Sequence, residues 1–282
     1  MITTLISSIL RPFAIFLKSV LPIALYDIII SFYVSLLKFA NWIRNLFKIR
    51  IRIFLSGPYP IRYFPDGMWT YAGNSFDSDP RFQAAWDRIY KYVGKGNVRR
   101  ISWRLHVVLC LAEYCSHLEG DFVECGTYRG INAHGICAFL DFKNLSKKLY
   151  LFDTWTGLAE ERLHTFEKNR AVRRYQNCYD EVKQTFSDVP NVIMIQGLVP
   201  DTLESVQWGK VCFLHVDMNC VYPEEAALEY FWDKIVPGGV IISDDYGHPG
   251  YEAQKEAFEN FAKSKNSMVF SLPTGTGVIF KR

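Results

Sequence analysis

The sequence predicts an α/β fold in which helices cover both faces of a mostly parallel β-sheet. After Gly120, five short apolar runs alternate with stretches that have helical spacing. These runs are apolar throughout, which is typical of parallel strands that are buried on both faces. Two further short runs near the C terminus favour an antiparallel hairpin that closes the sheet. The prediction is therefore a sheet of seven strands.

The predicted elements follow one another along the chain. Two helices come first, over residues 80–93, where Pro80 suits a first helical turn, and over residues 99–118. The VPGG sequence is expected to be a turn, so that the fourth and fifth strands belong to one β–α–β unit. Strands are predicted at 121–125, 148–153, 191–196, 211–217 and 239–245, helices near 130–141, 200–206, 223–235 and 251–264, and the hairpin from 267–273 and 275–282.

Composition fits one such domain with an extension. The chain has 282 residues, of which 49% are apolar and 22% charged, so a packed core is expected. We divide it into a helical N-terminal extension (1–56), a connector with a helical cap (57–119) and the sheet domain (120–282). The seven cysteines contain no C-x-x-C pair, which argues against a zinc site or a disulfide framework. Reduced thiols fit a cytoplasmic protein.

Charge is distributed unevenly between the extension and the rest. Residues 1–56 contain seven basic residues and one acid, a balance of +6, whereas the remaining 25 basic and 28 acidic residues give −3. The acidic balance of the larger part argues against nucleic-acid binding there. The basic, apolar extension points instead to an anionic membrane surface.

The extension allows three interpretations. Residues 19–37 are apolar and reach the minimum length of a membrane span, but Asp27 lies near the middle and Pro22 near the start. We favour an anchor that lies in the plane of the membrane, at its inner face. A transmembrane helix and a helical cap that packs on the domain or on a second subunit stay open, and so does a homo-oligomer.

The ends of the predicted strands are the places to look for a site, because open α/β sheets bind ligands beyond the carboxyl ends of their strands. The first strand ends in Glu124 and Cys125, before a turn that contains Gly126 and Gly130. Glycine allows a close approach of the backbone to a ligand. The spacing is not that of a dinucleotide fingerprint, and Glu124 would repel a phosphate. An ordinary strand-to-helix turn is equally compatible with these residues.

The second and third strands end in residues that suit a nucleoside. Asp153 at the tip of the second strand can accept hydrogen bonds from both hydroxyls of a ribose. Gln196 and Gly197 at the end of the third could border an adenine. A helix N-cap for Asp153, and a turn before a helix for the other two, are the structural alternatives.

The fourth and fifth strands bring acids together. Asp217 ends the fourth strand, and the adjacent Asp244 and Asp245 end the fifth. Neighbouring strands lie about 4.8 Å apart, so the three carboxylates can converge, and burying them together is costly unless a cation neutralises them. Hard oxygen ligands favour Mg²⁺. Capping of the next helix or exposure to water is the alternative.

Four motifs stand out in the second part of the chain: DFVECGTYRG, LYLFDTWTGL, LHVDMNCVYPEEAALEYFWDKIVPGGVIISDDYG and LPTGTGVI. Together they resemble the macrocin O-methyltransferase (TylF-type) family over about residues 80–282. The resemblance implies a class I, Rossmann-like, S-adenosyl-L-methionine-dependent methyltransferase that acts on a sugar hydroxyl, either of a small molecule or of a glycan. It also implies that Mg²⁺ is bound by Asp217, Asp244 and Asp245, with Asp217 near the substrate hydroxyl as the base.

The resemblance implies that S-adenosylmethionine is bound by Asp153 and by the turn from Glu124 to Gly130, which includes Gly126 and Tyr128. From the end of the third strand we add Gly197 to this site.

The chain departs from the family pattern at Asn219, where members usually have a second acid. A neutral amide changes the charge of the site, although its carbonyl could still coordinate a metal. Residues 161–182 lie where a substrate lid would be, and His248 is a rival base. Two other function classes stay open: an NAD-dependent oxidoreductase on a similar sheet, which Asp153 would fit, and a non-catalytic scaffold tethered to a membrane.

Overall fold

The structure, a computed structural model, describes Ser35 and residues 73–96, 98, 101–158, 163, 167 and 175–282. The chain divides into two compact units, residues 1–61 and 62–282, and apart from Ser35 all described residues belong to the second. The predicted membrane anchor therefore lies outside the described residues, except for Ser35. None of the described helices combines the length and the apolar character that a membrane span requires.

The described elements alternate between helix and strand along the chain. Helix α1 begins after Asp79, whose carboxylate accepts a hydrogen bond from the backbone N–H of Arg81 at 2.8 Å. A π-helical turn, Tyr90–Gly94, extends it. The elements are α1 (Pro80–Ile89), α2 (Ser102–Ser116), β1 (Asp121–Cys125), α3 (Ile131–Phe139), β2 (Leu149–Asp153), α4 (Tyr179–Thr185), β3 (Val192–Gln196), β4 (Val211–Val216), α5 (Val221–Trp232), β5 (Ile235–Ser243), α6 (Glu252–Ser264), β6 (Phe270–Ser271) and β7 (Gly277–Phe280).

The strands form one seven-stranded sheet in the order β3-β2-β1-β4-β5-β7-β6. Strands β1 to β5 pair in parallel, and β7 pairs antiparallel with both β5 and β6. The predicted mostly parallel sheet with an antiparallel C-terminal hairpin is confirmed. The order reverses between β1 and β4, so the carboxyl ends of these strands flank the crevice where such sheets bind ligands.

Two hydrophobic cores lie on opposite faces of the sheet. Alternate residues of each strand point to opposite faces, so Phe122 belongs to one core and Val123 to the other. The first core contains residues of α1, α2, α3 and α4, and the second contains residues of α5 and α6. Helices therefore cover both faces, as the continuously apolar strands predict.

The prediction for the fifth strand was wrong at its start. Strand β5 begins at Ile235, so the VPGG sequence lies within the strand. Ile235 pairs with Val211, and the register with β4 then shifts before Val240 pairs with Phe213. The two glycines accommodate this irregularity, since a Cβ on Gly239 would lie 2.5 Å from Ile235 Cγ2. The helix expected near 200–206 is only a short 3₁₀ turn, Leu203–Ser205.

Candidate functional site

A cavity of about 300 Å³ opens at the carboxyl ends of β1, β2 and β4. Its position agrees with the expectation that the strand ends carry the site. Of the residues that the sequence analysis assigned to the S-adenosylmethionine and metal sites, Gly130 and Asp245 are not among those that line the cavity within the described part of the chain. The predicted residues that line it are Glu124, Gly126, Tyr128, Asp153, Gly197, Asp217 and Asp244.

Gly126 joins the ends of β1 and β4. Its φ is +90°, and a Cβ at this position would lie 1.9 Å from the carbonyl oxygen of Asp217. Asp217 in turn donates its backbone N–H to the Cys125 carbonyl at 2.8 Å. The glycine thus lets the backbone of β1 approach the backbone of Asp217, in addition to lining the cavity.

Asp153 fixes the turn that follows β1. Its two carboxylate oxygens accept the backbone N–H groups of Tyr128 at 2.7 Å and of Trp155 at 2.6 Å. Burial raises the pKa of Asp153, and these backbone hydrogen bonds oppose the rise. Thr154 also donates its hydroxyl to Oδ1 at 3.5 Å. The carboxylate lines the cavity, where it can accept a hydroxyl group of a ligand alongside these bonds. Gly130, with φ +75°, is the N-cap of α3 and completes the turn outside the cavity.

Glu124 is buried at the base of the cavity. Burial raises its pKa to about 7, although His215 and Thr127 oppose the rise. Its Oε1 lies 3.6 Å from Nδ1 of His215, and Thr127 donates to Oε2 at 3.4 Å. Near neutral pH this side chain can therefore accept or donate a hydrogen bond to a polar ligand group.

Asp217, Asp244 and Asp245 converge, as predicted from the strand ends. Val216 of β4 is the register partner of Ser243 of β5, so Asp217 and Asp244 follow paired positions. Each acid offers a carboxylate oxygen, and these oxygens lie within 4.8 Å of one another. Burial and repulsion from Asp244 and Asp245 raise the pKa of Asp217. Such mutual repulsion is what a divalent cation would relieve, so the donor set fits Mg²⁺.

Arg104 of α2 is a functional candidate that the sequence prediction missed. Its Nη1 lies 2.7 Å from Oδ2 of Asp244, and its Nη2 lies 2.6 Å from Nε2 of His248. Burial would raise the pKa of Asp244, but Arg104 and then His215 lower it to about 2. Because a guanidinium only donates, Nε2 of His248 must accept, which favours the neutral ring. The Nε2 atom of His248 therefore contacts Arg104. The sequence analysis had instead suggested this histidine as a rival base.

Asn219 does not turn its carbonyl towards the acids. Its Nδ2 donates to Oδ1 of Asp217 at 3.1 Å, and its Oδ1 accepts from the Tyr251 hydroxyl at 2.6 Å. Coordination of a metal by this carbonyl would require a rearrangement of the amide.

Two buried glutamates near the site were also missed. Glu224 of α5 accepts the backbone N–H of Met218 at 3.1 Å, and burial, with repulsion from Asp217, raises its pKa to about 8. Glu167 accepts the backbone N–H of Val221 at 2.8 Å. Glu224 shares the helical spacing of the apolar face of α5, so the sequence contained a signal for its burial.

The segment proposed as a lid is described only in part, at 163, 167 and 175–182. Leu163 packs with Cys220, and Tyr175 lines the cavity, where its ring forms an edge-to-face pair with Tyr128 at 4.9 Å between centroids. Helix α4 begins at Tyr179, inside this segment. The described residues thus contribute to the wall of the site.

Comparisons with known proteins agree with the geometry. The family model described as macrocin-O-methyltransferase (TylF) matches residues 81–280. A curated relative from Streptomyces olivaceus, 8-demethyl-8-(2,3-dimethoxy-alpha-L-rhamnosyl)-tetracenomycin-C 4'-O-methyltransferase, is 22% identical over 227 residues, which cover 73% of this chain and 81% of the relative.

Solved structures share the fold. The O-methyltransferase NovP superposes with a TM-score of 0.54 at 19% identity, covering 63% of this chain and 79% of that one. The calicheamicin methyltransferase CalS11 has a TM-score of 0.54 at 16% identity, covering 74% of this chain and 94% of that one.

Proposed function

The chain belongs to the macrocin O-methyltransferase family, and on that premise we propose that it methylates a hydroxyl group of a sugar or glycosylated natural product, with S-adenosylmethionine as the donor and Mg²⁺ as a cofactor. The family assignment makes it an O-methyltransferase. The observation that carries the finer proposal is the convergence of three aspartates beside a cavity of about 300 Å³ at the strand ends.

The donor half of the cavity is assigned to residues after β1, β2 and β3. Asp153, which lines the cavity, would accept the ribose hydroxyls alongside its two backbone hydrogen bonds. Gly197 would admit an adenine close to the backbone, and Tyr128 also lines the cavity. Glu124, with its raised pKa, would face a polar group of the methionine part.

The acceptor half is assigned to the residues around Asp217. Asp217, Asp244 and Asp245 would hold Mg²⁺, and when bound the donor would supply an electrophilic methyl group and the ion the Lewis acidity that lowers the pKa of the acceptor hydroxyl. Asp217 would take the hydroxyl proton while the oxygen–methyl bond forms and the sulfur–methyl bond breaks. The products are a methyl ether and S-adenosylhomocysteine.

The electrostatics of the aspartates suit these roles. In the metal-free protein, burial and the neighbouring acids raise the pKa of Asp217. Asp244 stays ionised because Arg104 and then His215 lower its pKa against the effect of burial. A bound cation would relieve the repulsion at Asp217 and keep its carboxylate ionised, which is the form that can take a proton.

The acceptor is inferred from the family and from the curated relative, whose name specifies the 4'-hydroxyl of a rhamnosyl group. Apolar side chains that line the cavity, among them Leu158, Met218 and Pro223, would contact the carbon skeleton of a deoxysugar or an aglycone. This supports a glycosylated, partly apolar acceptor.

A methyl-transfer assay tests the proposal. Labelled S-adenosylmethionine would be offered with a panel of rhamnosides, including p-nitrophenyl α-L-rhamnopyranoside and nucleotide-linked rhamnose. We expect transfer that EDTA abolishes and Mg²⁺ restores, and none by Asp217→Ala, which should still bind S-adenosylhomocysteine in calorimetry. Asp233→Ala, at an exposed helix C-cap, is the matched control. Full activity in EDTA would refute the requirement for Mg²⁺. Binding of NAD in preference to S-adenosylhomocysteine would refute the use of S-adenosylmethionine as the methyl donor.

The N-terminal extension is proposed to bring the enzyme to an anionic membrane surface. The support is the balance of +6 within residues 1–56, together with their apolar character. The full chain should sediment with phosphatidylglycerol vesicles at low salt and be released at high salt, and should not sediment with phosphatidylcholine vesicles. Equal recovery with both kinds of vesicle would contradict an electrostatic membrane contact.

A further inference from the structure

The 217–219 segment has an unusual backbone at the point where the family pattern places a second acid. Asn219 has φ +59°, in the left-handed region. Asn adopts this region more readily than most residues with a Cβ. The turn directs the Asn219 side chain back towards Asp217, so the amide contacts the acid two residues earlier.

The orientation of this amide is determined by its two partners. When the Asp217 carboxylate is ionised, as it would be with a cation bound, it can only accept, so the NH₂ group of Asn219 faces Oδ1 of Asp217. The carbonyl then faces away and accepts from the Tyr251 hydroxyl at 2.6 Å. Rotating the amide by half a turn would place two acceptors, the amide carbonyl and the carboxylate, against each other. Tyr251 thereby stabilises the one orientation in which Asn219 can donate to Asp217.

Tyr251 is itself held in place by the backbone around it. It is the N-cap residue of α6, and its N–H donates to the His248 carbonyl at 3.0 Å. The hydroxyl is therefore presented from the turn between β5 and α6, the same turn that follows Asp244 and Asp245. The chain Tyr251–Asn219–Asp217 connects the loop after β5 to the acid after β4.

A neutral amide at position 219 also limits the charge in the cluster. Carboxylate oxygens of Asp217, Asp244 and Asp245 already lie within 4.8 Å of one another, so their negative charges repel. A carboxylate at position 219 would add a fourth negative charge and could not donate to Asp217 when ionised. The amide supplies a donor without adding charge.

From this geometry we propose that Tyr251 and Asn219 act as a unit of positioning residues that orients the Asp217 carboxylate towards the acceptor. In this proposal Tyr251 acts through Asn219, and Asn219 acts on Asp217. The inference rests on the proposed role of Asp217 in methyl transfer. It assigns the orienting role to a neutral amide, that of Asn219, at the position where the family usually has an acid.

The test is a double-mutant cycle in the methyl-transfer assay, with the best acceptor of the rhamnoside panel. The variants are Tyr251→Phe, which removes only the hydroxyl, Asn219→Gly, which keeps the left-handed backbone without strain, and the combination of both. Tyr114→Phe, at an exposed tyrosine of α2, is the matched control. We expect each single variant to lower kcat about tenfold, with the donor KM and the affinity for S-adenosylhomocysteine unchanged.

The combined variant distinguishes a unit from two independent contributions. If Tyr251 acts through Asn219, the combined variant should have the kcat of Asn219→Gly alone. Wild-type kcat in Tyr251→Phe, or losses that multiply in the combined variant, would overturn the inference. A wild-type enzyme that transfers no methyl group to any rhamnoside would instead count against the proposed function, so the two failures are distinguishable.

Discussion

Replacement of Gly126 by alanine tests the junction that places Asp217. A Cβ at this position would lie 1.9 Å from the Asp217 carbonyl oxygen and 2.4 Å from its carbonyl carbon, and both are backbone atoms that cannot rotate away. The φ of +90° adds strain for any residue with a Cβ. Backbone strain of about 1–3 kcal/mol and overpacking of about 1–3 kcal/mol together predict a loss of about 2–6 kcal/mol in the free energy of unfolding.

Chemical denaturation of Gly126→Ala measures this loss. Gly209→Ala is the matched control, because a Cβ at Gly209 would have no atom within 4 Å, and we expect its effect to stay within about 0.5 kcal/mol. Displacement of the Asp217 backbone should also lower kcat in any Gly126→Ala protein that folds. A Gly126→Ala protein as stable as Gly209→Ala would refute the close approach of β1 to Asp217.

Three further predictions concern charged residues of the site. Arg104→Met removes the guanidinium that pairs with Asp244, so the free energy of unfolding of the metal-free variant should fall by about 3–5 kcal/mol. Mg²⁺ should then raise the Tm of the variant more than that of the wild type. An equal rise in both would contradict the role of Arg104 as counter-ion. Burial raises the folded-state pKa of Glu224 to about 8, above its unfolded value of about 4.3. Its contribution to the free energy of unfolding is therefore complete below the unfolded pKa. As the pH rises from there to the folded-state pKa, this contribution declines by about 1.4 kcal/mol per pH unit. In urea denaturation from pH 5 to 8, Glu224→Gln should remove this decline and the exposed neighbour variant Glu225→Gln should keep it; parallel curves for both would be inconsistent with a buried acid. Asp153→Asn cannot accept both of its backbone N–H groups, so calorimetry should show about tenfold weaker binding of S-adenosylhomocysteine, and unchanged affinity would remove Asp153 from the donor site.

The strands were predictable because each is a short, mostly apolar run followed by a turn or a polar residue. The runs ending at Cys125 and Asp153 match β1 and β2 to within one residue. The start of β5 was not predictable, because two successive glycines, Gly238 and Gly239, are typical of a turn. Pairing of Ile235 with Val211 on β4 overrides that local preference, and such pairing is visible only in the folded sheet.

The acids of the site were predictable from strand ends, but their partners were not. Asp217 and Asp244 meet because paired positions on neighbouring parallel strands end at the same edge. Arg104 lies 140 positions before Asp244, and nothing in the local sequence connects a single arginine in an apolar helix to that carboxylate. The orientation of Asn219 likewise depends on Tyr251, which is 32 positions away.

Anomalous diffraction from crystals grown with Mn²⁺ and S-adenosylhomocysteine tests the central claim most directly. The account predicts one strong peak at about 2.0–2.3 Å from an oxygen of each of Asp217, Asp244 and Asp245, with the sulfur of S-adenosylhomocysteine in the cavity beside Glu124. A donor bound in that cavity with no anomalous peak among the three aspartates would contradict it.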